Sequence, residues 1–145
     1  LIDDGKLVLE VLETNNIDTV RAKTIQGGPL SSKKGVNLPN TNVSLPALTE
    51  KDIEDANFML DLELDWIALS FVRHAQDIID LKEIMKNHPT NKHKTPIIAK
   101  IEKPEGVKNI EEILQECDGL MVARGDLGVE TSVEKVAMTT SRTSK

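Results

Sequence analysis

Three short apolar runs separated by longer amphipathic segments dominate the second half of the chain. The runs are residues 65–71, 97–101 and 119–123. Two sets of apolar residues recur at helical spacing between the runs: Ile78, Leu81, Ile84 and Met85, then Val107, Ile110, Ile113 and Leu114. Strands that alternate with helices predict an α/β fold with a parallel sheet covered by helices. Such units build either an open sheet or a (β/α)8 barrel, and three strands cannot close a barrel.

The beginning of the chain predicts a β-hairpin instead. Two runs rich in Leu, Val and Thr between Lys6 and Ile25 flank the turn-forming stretch Thr14-Asn15-Asn16. No initiator methionine precedes Leu1, and a polar run without a completed element ends the chain. We therefore expect a piece of a longer protein.

A change of character near residue 46 predicts a domain boundary. Prolines and asparagines in 37–46 disfavour regular structure and indicate a linker. Thr49, with Asp52 three residues later, then has the pattern of a helix N-cap. We accordingly expect one domain in 1–46 and a second in 47–145.

Composition excludes several classes of function. Acidic residues outnumber basic ones by 24 to 18, and no basic stripe interleaved with aromatics appears, so nucleic acid is a poor partner. The apolar runs are too short to span a membrane. The single cysteine, Cys117, excludes an internal disulfide and fits a reducing, cytoplasmic location. The three histidines, His74, His88 and His93, lack the spacing of zinc ligands.

Charged residues interrupt the second apolar run. Side chains alternate between the two faces of a strand, so Lys100 and Glu102 are predicted to share one face at the strand's carboxyl end. That end is where parallel α/β folds bind ligands. The strand that begins with the third run is predicted to finish with Arg124-Gly125-Asp126, which brings a second carboxylate to the same edge.

Two carboxylates from neighbouring strands suit Mg²⁺, which keeps several waters and recruits oxygen atoms from its substrate. Glu102 and Asp126 are therefore candidate metal ligands, and Lys100 adds positive charge where a phosphoryl group or an oxyanion needs it. A structural ion pair between Lys100 and Glu102, with Asp126 capping a following helix, is the alternative. Three ionisable groups at one edge favour function, because an unpaired charge in an apolar strand is costly.

The loop 27–35 contains glycines, hydroxyls and the lysines Lys33 and Lys34, which are the ingredients of a phosphate contact. Its spacing matches neither a Walker loop nor a dinucleotide fingerprint. Taken alone, this loop is weak evidence for a phosphate site, because two exposed lysines in a turn explain it equally well.

Two motifs of the chain resemble pyruvate kinases. They are IAKIE at 98–102 and DGLMVARGDLGVE at 118–130. The resemblance continues upstream through four further segments: 2–5, 32–39, 48–52 and 68–73. It covers nearly the whole chain apart from the final dozen residues.

This resemblance implies a (β/α)8 barrel with a small β-rich lid domain inserted after its third strand. Residues 1–46 would be the later part of the lid, and 47–145 would supply about three strand-helix units of the barrel. The implied protein is a cytoplasmic homotetramer that uses Mg²⁺ or Mn²⁺ together with K⁺.

The implied reaction transfers a phosphoryl group from phosphoenolpyruvate to ADP and gives pyruvate and ATP. By the same resemblance, Lys100 stabilises the transferring group, and Glu102 and Asp126 hold the metal. Gly125, Asp126 and Ser70 would lie against the substrate, and Lys34 would contact nucleotide. Lys103 follows Glu102 where the family usually has asparagine, which puts an extra positive charge near the metal edge.

By the same resemblance, this chain lacks the family's substrate-binding arginine, its potassium site and the threonine that follows the seventh strand of the barrel. We therefore expect the isolated chain to be inactive or nearly so. One alternative is a Mg²⁺-dependent lyase or aldolase of the barrels that handle enolates, which would not need the loop around Lys34. Another is a purely structural piece whose site residues never assemble.

Overall fold

The structure is a computed structural model that describes residues 1–39, 41, 46, 48–90 and 95–131. Half of the predicted linker, His93 and the polar tail lie outside the described residues. The chain divides into two compact units, 1–42 and 43–145. None of the described helices is long and apolar enough to cross a membrane.

The first unit contains the predicted hairpin, with β1 (Val8–Thr14) antiparallel to β2 (Val20–Gln26). Asn15 makes the turn, because its side-chain oxygen accepts hydrogen bonds from three consecutive N–H groups, of residues 17, 18 and 19, at 3.0–3.1 Å. Isolated bridges join Ile2 to Leu7 and to Val36, which ties the ends of this unit together.

The second unit is α/β, with a three-stranded parallel sheet in the order β3-β4-β5. The strands are β3 (Ile67–Leu69), β4 (Ile97–Ile101) and β5 (Gly119–Val122). The helices are α1 (Glu50–Asp61), α2 (Ala75–Asn87), α3 (Pro104–Lys108), α4 (Ile110–Glu116) and α5 (Arg124–Glu130).

Helix α1 begins as predicted, with a capping box. The Thr49 hydroxyl accepts a hydrogen bond from the Asp52 N–H, and the Asp52 carboxylate accepts one from the Thr49 N–H at 2.8 Å. The Thr49 hydroxyl also lies 2.6 Å from the Asp52 carboxylate and donates to it, and this bond, together with the one from the Thr49 N–H, lowers the pKa of the Asp52 carboxyl.

Two predictions in the second unit were wrong in detail. The helix expected across 107–114 is broken into α3 and α4 at Asn109, whose side chain donates a hydrogen bond to the Arg73 carbonyl. Arg124-Gly125-Asp126 does not end a strand. The last sheet-like bond at that edge runs from the Ala123 N–H to the Ile101 carbonyl, and α5 begins at the next residue.

The core lies on one face of the sheet. Ile97, Ala99 and Ile101 of β4 are buried, together with residues of α1, α2 and α4. The opposite face is more exposed and carries Lys100, beside apolar residues such as Trp66 and Met121 that are about half exposed. The helices therefore cover one face of the sheet, and the charged site residue lies on the other.

Candidate active site

Lys100 and Glu102 meet at the carboxyl end of β4, as strand alternation predicts. The Lys100 ammonium lies 2.7 Å from Glu102 Oε1. Glu102 is 2% exposed, and the side chain of Lys100 is 27% exposed. A buried carboxylate needs compensation for its lost hydration, and this contact provides part of it.

Ser70 belongs to the same cluster. Its hydroxyl accepts a hydrogen bond from the Lys100 ammonium at 3.0 Å. The register explains the meeting: Ala68 pairs with Ile98 and Leu69 with Ala99, so the next residue of each chain segment is Ser70 and Lys100. The structure thus brings together three of the predicted site residues, Ser70, Lys100 and Glu102.

The second oxygen of Glu102 has a partner that the sequence did not indicate. Glu102 Oε2 accepts a hydrogen bond from the main-chain N–H of Phe71 at 3.1 Å. A carboxylate offers about four acceptor sites, and these two contacts use two of them. Acceptor capacity on Glu102 therefore remains for a further cation.

Gly125 and Asp126 occupy the first turn of α5, and both are exposed. Backbone pairing sets their location, because Ile101 of β4 is the partner of Val122 of β5. Glu102 and Ala123 follow these partners, and Asp126 comes one helical turn later. The described residues contain no group of three or more His, Cys, Asp or Glu side chains placed to hold a metal ion.

The extra positive charge of Lys103, next to Glu102 in the chain, is compensated by a carboxylate. Its ammonium forms an ion pair with Glu130 at the end of α5, whose side chain is 4% exposed. Lys103 thereby links the start of α3 to the end of the helix that carries Gly125 and Asp126.

Lys34 belongs to the first unit, where its ammonium lies 2.9 Å from Asp3 Oδ1. Asp3 also pairs with Lys6 at 3.1 Å. Hydrogen bonds from Lys34 and then Lys6 hold the pKa of the Asp3 carboxyl below its usual range. Sequence reasoning missed Asp3 as the partner of Lys34, since 31 residues separate the two.

A cavity of about 320 Å³ lies away from these residues, at the amino ends of β3 and β4. It is lined by Leu60, Glu63, Leu64, Asp65, Thr90, Thr95 and Pro96. Because ligands of parallel α/β folds bind at the carboxyl ends of strands, the cluster around Lys100, and not this cavity, is the candidate site.

Comparison with known proteins agrees with the resemblance of the two sequence motifs. The family model described as pyruvate kinase, barrel domain, matches residues 1–143. The chain is 49% identical over 142 residues to the pyruvate kinase of Mycobacterium intracellulare, and these residues are 98% of the chain and 29% of that protein. It is 48% identical over 137 residues to pyruvate kinase 2 of Synechocystis sp. (94% and 23%) and 47% identical over 139 residues to the pyruvate kinase of Staphylococcus aureus (95% and 23%).

The chain thus spans about a quarter of the length of these relatives. Within that span, the match includes both site motifs, at 98–102 and 118–130. The chain belongs to the pyruvate kinase family.

Proposed function

We propose that the protein containing these residues, called the whole protein below, is a pyruvate kinase. It transfers the phosphoryl group of phosphoenolpyruvate to ADP and releases pyruvate and ATP. The observation that carries this proposal is the buried Glu102 carboxylate paired with Lys100 at the carboxyl end of a parallel strand, in a chain of this family.

Lys100 is the catalytic residue of the proposal. Its ammonium is held by Glu102 and Ser70 and is still about a quarter exposed, so it can reach a ligand at the sheet edge. Phosphoryl transfer requires mainly positioning and charge stabilisation, which a fixed ammonium supplies. Ser70 and the exposed first turn of α5, with Gly125 and Asp126, would line the substrate.

Glu102 and Asp126 would hold the divalent metal, Mg²⁺ or Mn²⁺. The unused acceptor capacity of Glu102 and the exposed carboxylate of Asp126 fit this role. When bound, the metal neutralises the charge of substrate oxygens and orients them. The buried position of Glu102 keeps its carboxylate in one orientation, so no large rearrangement is needed for it to act as a ligand.

We further propose that residues 47–145 form part of a (β/α)8 barrel. A parallel sheet normally has both faces covered. Here helices cover one face, while Trp66 and Met121 on the other remain about half exposed, as expected if further strands close around it. Residues 1–46 would be part of the β-rich lid.

Lys34 is proposed to contact nucleotide. Its side chain is 36% exposed, and its partner Asp3 keeps a second cation, Lys6, so the Lys34 ammonium can exchange this contact for one to a phosphate. Family membership also supports a requirement for K⁺, a homotetramer and a cytoplasmic location for the whole protein. The isolated chain would have little or no turnover.

The proposal is tested by identifying the products that the whole protein forms from phosphoenolpyruvate and ADP. The whole protein is incubated with phosphoenolpyruvate, ADP, Mg²⁺ and K⁺, and ³¹P NMR follows the phosphorus. Stoichiometric appearance of ATP with pyruvate is expected. Consumption of phosphoenolpyruvate without ATP, or condensation of its enolate with an added aldehyde, would contradict the proposal and indicate a lyase or aldolase.

A further inference from the structure

The turn that follows β3 has an unusual backbone. Phe71 has a φ of 56°, in the left-handed region that bulky residues seldom occupy. Phe71 is 52% exposed, so burial of the ring does not impose this conformation. The reason must lie in what the main chain contacts.

The main chain and side chains of this turn contact both Lys100 and Glu102. Ser70 accepts from the Lys100 ammonium, and the Phe71 N–H donates to Glu102 Oε2. The next N–H, that of Val72, donates to the Lys100 carbonyl at 3.3 Å. Three successive residues thus contact the proposed catalytic lysine and the proposed metal ligand.

The turn is also fixed from its other side. Gly106 of α3 approaches so closely that an added Cβ would lie 2.5 Å from the Val72 carbonyl oxygen. Asn109 donates to the Arg73 carbonyl at 2.9 Å, and the buried Asp77 accepts from the Arg73 N–H at 2.7 Å. Contacts on both sides over-determine the backbone, which is how an unfavourable φ persists.

We propose that Phe71 is a positioning residue, which acts through its main-chain N–H to fix the orientation of the Glu102 carboxylate. The left-handed conformation of Phe71 aims this N–H at Oε2 while the ammonium of Lys100 holds Oε1. Hydrogen bonds to a ligating carboxylate orient it and tune its affinity for the metal. This inference rests on the proposed role of Glu102 and adds a residue that acts through that carboxylate.

Three substitutions in the whole protein test the inference. Phe71→Val disfavours the positive φ, and Phe71→Pro removes the N–H and forbids that φ, so Mn²⁺ affinity should fall by about 10- to 100-fold in both. Phe71→Gly keeps the N–H and adopts the φ readily. It should bind Mn²⁺ more tightly than the other two variants, as measured by the EPR signal of free Mn²⁺.

Glu63 is a matched control in the same unit. Its φ is 51°, and it lies in the turn after α1, among the residues that line the distant cavity. Glu63→Val introduces the same backbone conflict, yet it should leave Mn²⁺ affinity unchanged. If Glu63→Val and Phe71→Val lost Mn²⁺ affinity equally, at similar melting temperatures, backbone strain in general would explain the loss and the inference would be overturned.

A measurement without metal separates this inference from the proposed function. The Phe71 amide proton should shift upfield in Glu102→Gln, because a neutral amide is a weaker acceptor than a carboxylate. An unmoved amide proton overturns the inference, whatever the metal does. Mn²⁺ binding that survives Glu102→Gln refutes the metal role of Glu102. Mn²⁺ binding that is lost in Glu102→Gln but unchanged in Phe71→Val leaves the proposed function standing and overturns the inference.

Discussion

Gly106→Ala should destabilise the chain even though alanine is the better helix former. The new Cβ would lie 2.5 Å from the Val72 carbonyl oxygen and 3.5 Å from two carbon atoms of Ile101. Ile101 is fully buried in β4, so relief requires movement of α3 or of the turn after β3. Overpacking costs about 1–3 kcal/mol, and a 2.5 Å approach to a main-chain oxygen belongs in the upper part of that range. Since the Gly-to-Ala gain in a helix is at most about 1 kcal/mol, we expect a net loss of about 1–2 kcal/mol.

Urea unfolding of the 145-residue chain, followed by far-UV circular dichroism and the fluorescence of its single tryptophan, Trp66, measures this loss. Gly128→Ala is the matched control, because Gly128 lies in α5 and a Cβ there would have no neighbour within 4 Å. The control should be as stable as the wild type or more stable, by up to about 1 kcal/mol. If Gly106→Ala were stabilised to the same extent, the close approach of α3 to the turn would be refuted.

Three further predictions concern the caps and ion pairs. Thr49→Ala should lower the free energy of unfolding by about 1 kcal/mol in chemical denaturation, whereas Thr49→Ser should keep the cap and lose little. Lys103→Met should cost about 2 kcal/mol, since it removes the cation beside the Glu130 carboxylate, whose side chain is 4% exposed. Combining it with Glu130→Gln should recover part of that loss, and strictly additive losses would argue against the pair. The pKa of the Asp3 carboxyl is lowered in the folded state, so its ion pairs stabilise that state fully above the unfolded-state pKa. This stabilisation is lost as the pH falls through the lowered folded-state pKa. An NMR titration should show the pKa of Asp3 rising in Lys34→Ala, and an unchanged pKa would contradict the pairing.

Regular alternation made the core of the site predictable. The run 97–101 matches β4 residue for residue, and the period of two placed Lys100 and Glu102 on one face, where their side chains meet at 2.7 Å. The cap at Thr49 was predictable for a similar reason, since its residue types and spacing define the hydrogen bonds.

What escaped prediction depends on contacts between distant segments. Phenylalanine gives no signal of a positive φ, and the contacts that fix the turn include the hydrogen bond from the Phe71 N–H to Glu102, 31 residues later. The break at Asn109 likewise follows from its bond to the Arg73 carbonyl, 36 residues earlier. The start of α5 at Arg124 was misjudged because the apolar run continues to Ala123, and hydropathy alone does not mark where a strand gives way to a helix.

The central claim is that Lys100 stabilises the transferring phosphoryl group, and steady-state kinetics of the whole protein with Lys100→Met tests it most directly. The ammonium is lost while a side chain of similar length remains. Lys108→Met, at the exposed end of α3, is the matched control. We predict that kcat for ATP formation falls by about 10²- to 10³-fold in Lys100→Met, with a much smaller change in KM for phosphoenolpyruvate, and that Lys108→Met retains wild-type kinetics. ATP formation at the wild-type rate by Lys100→Met would contradict the account.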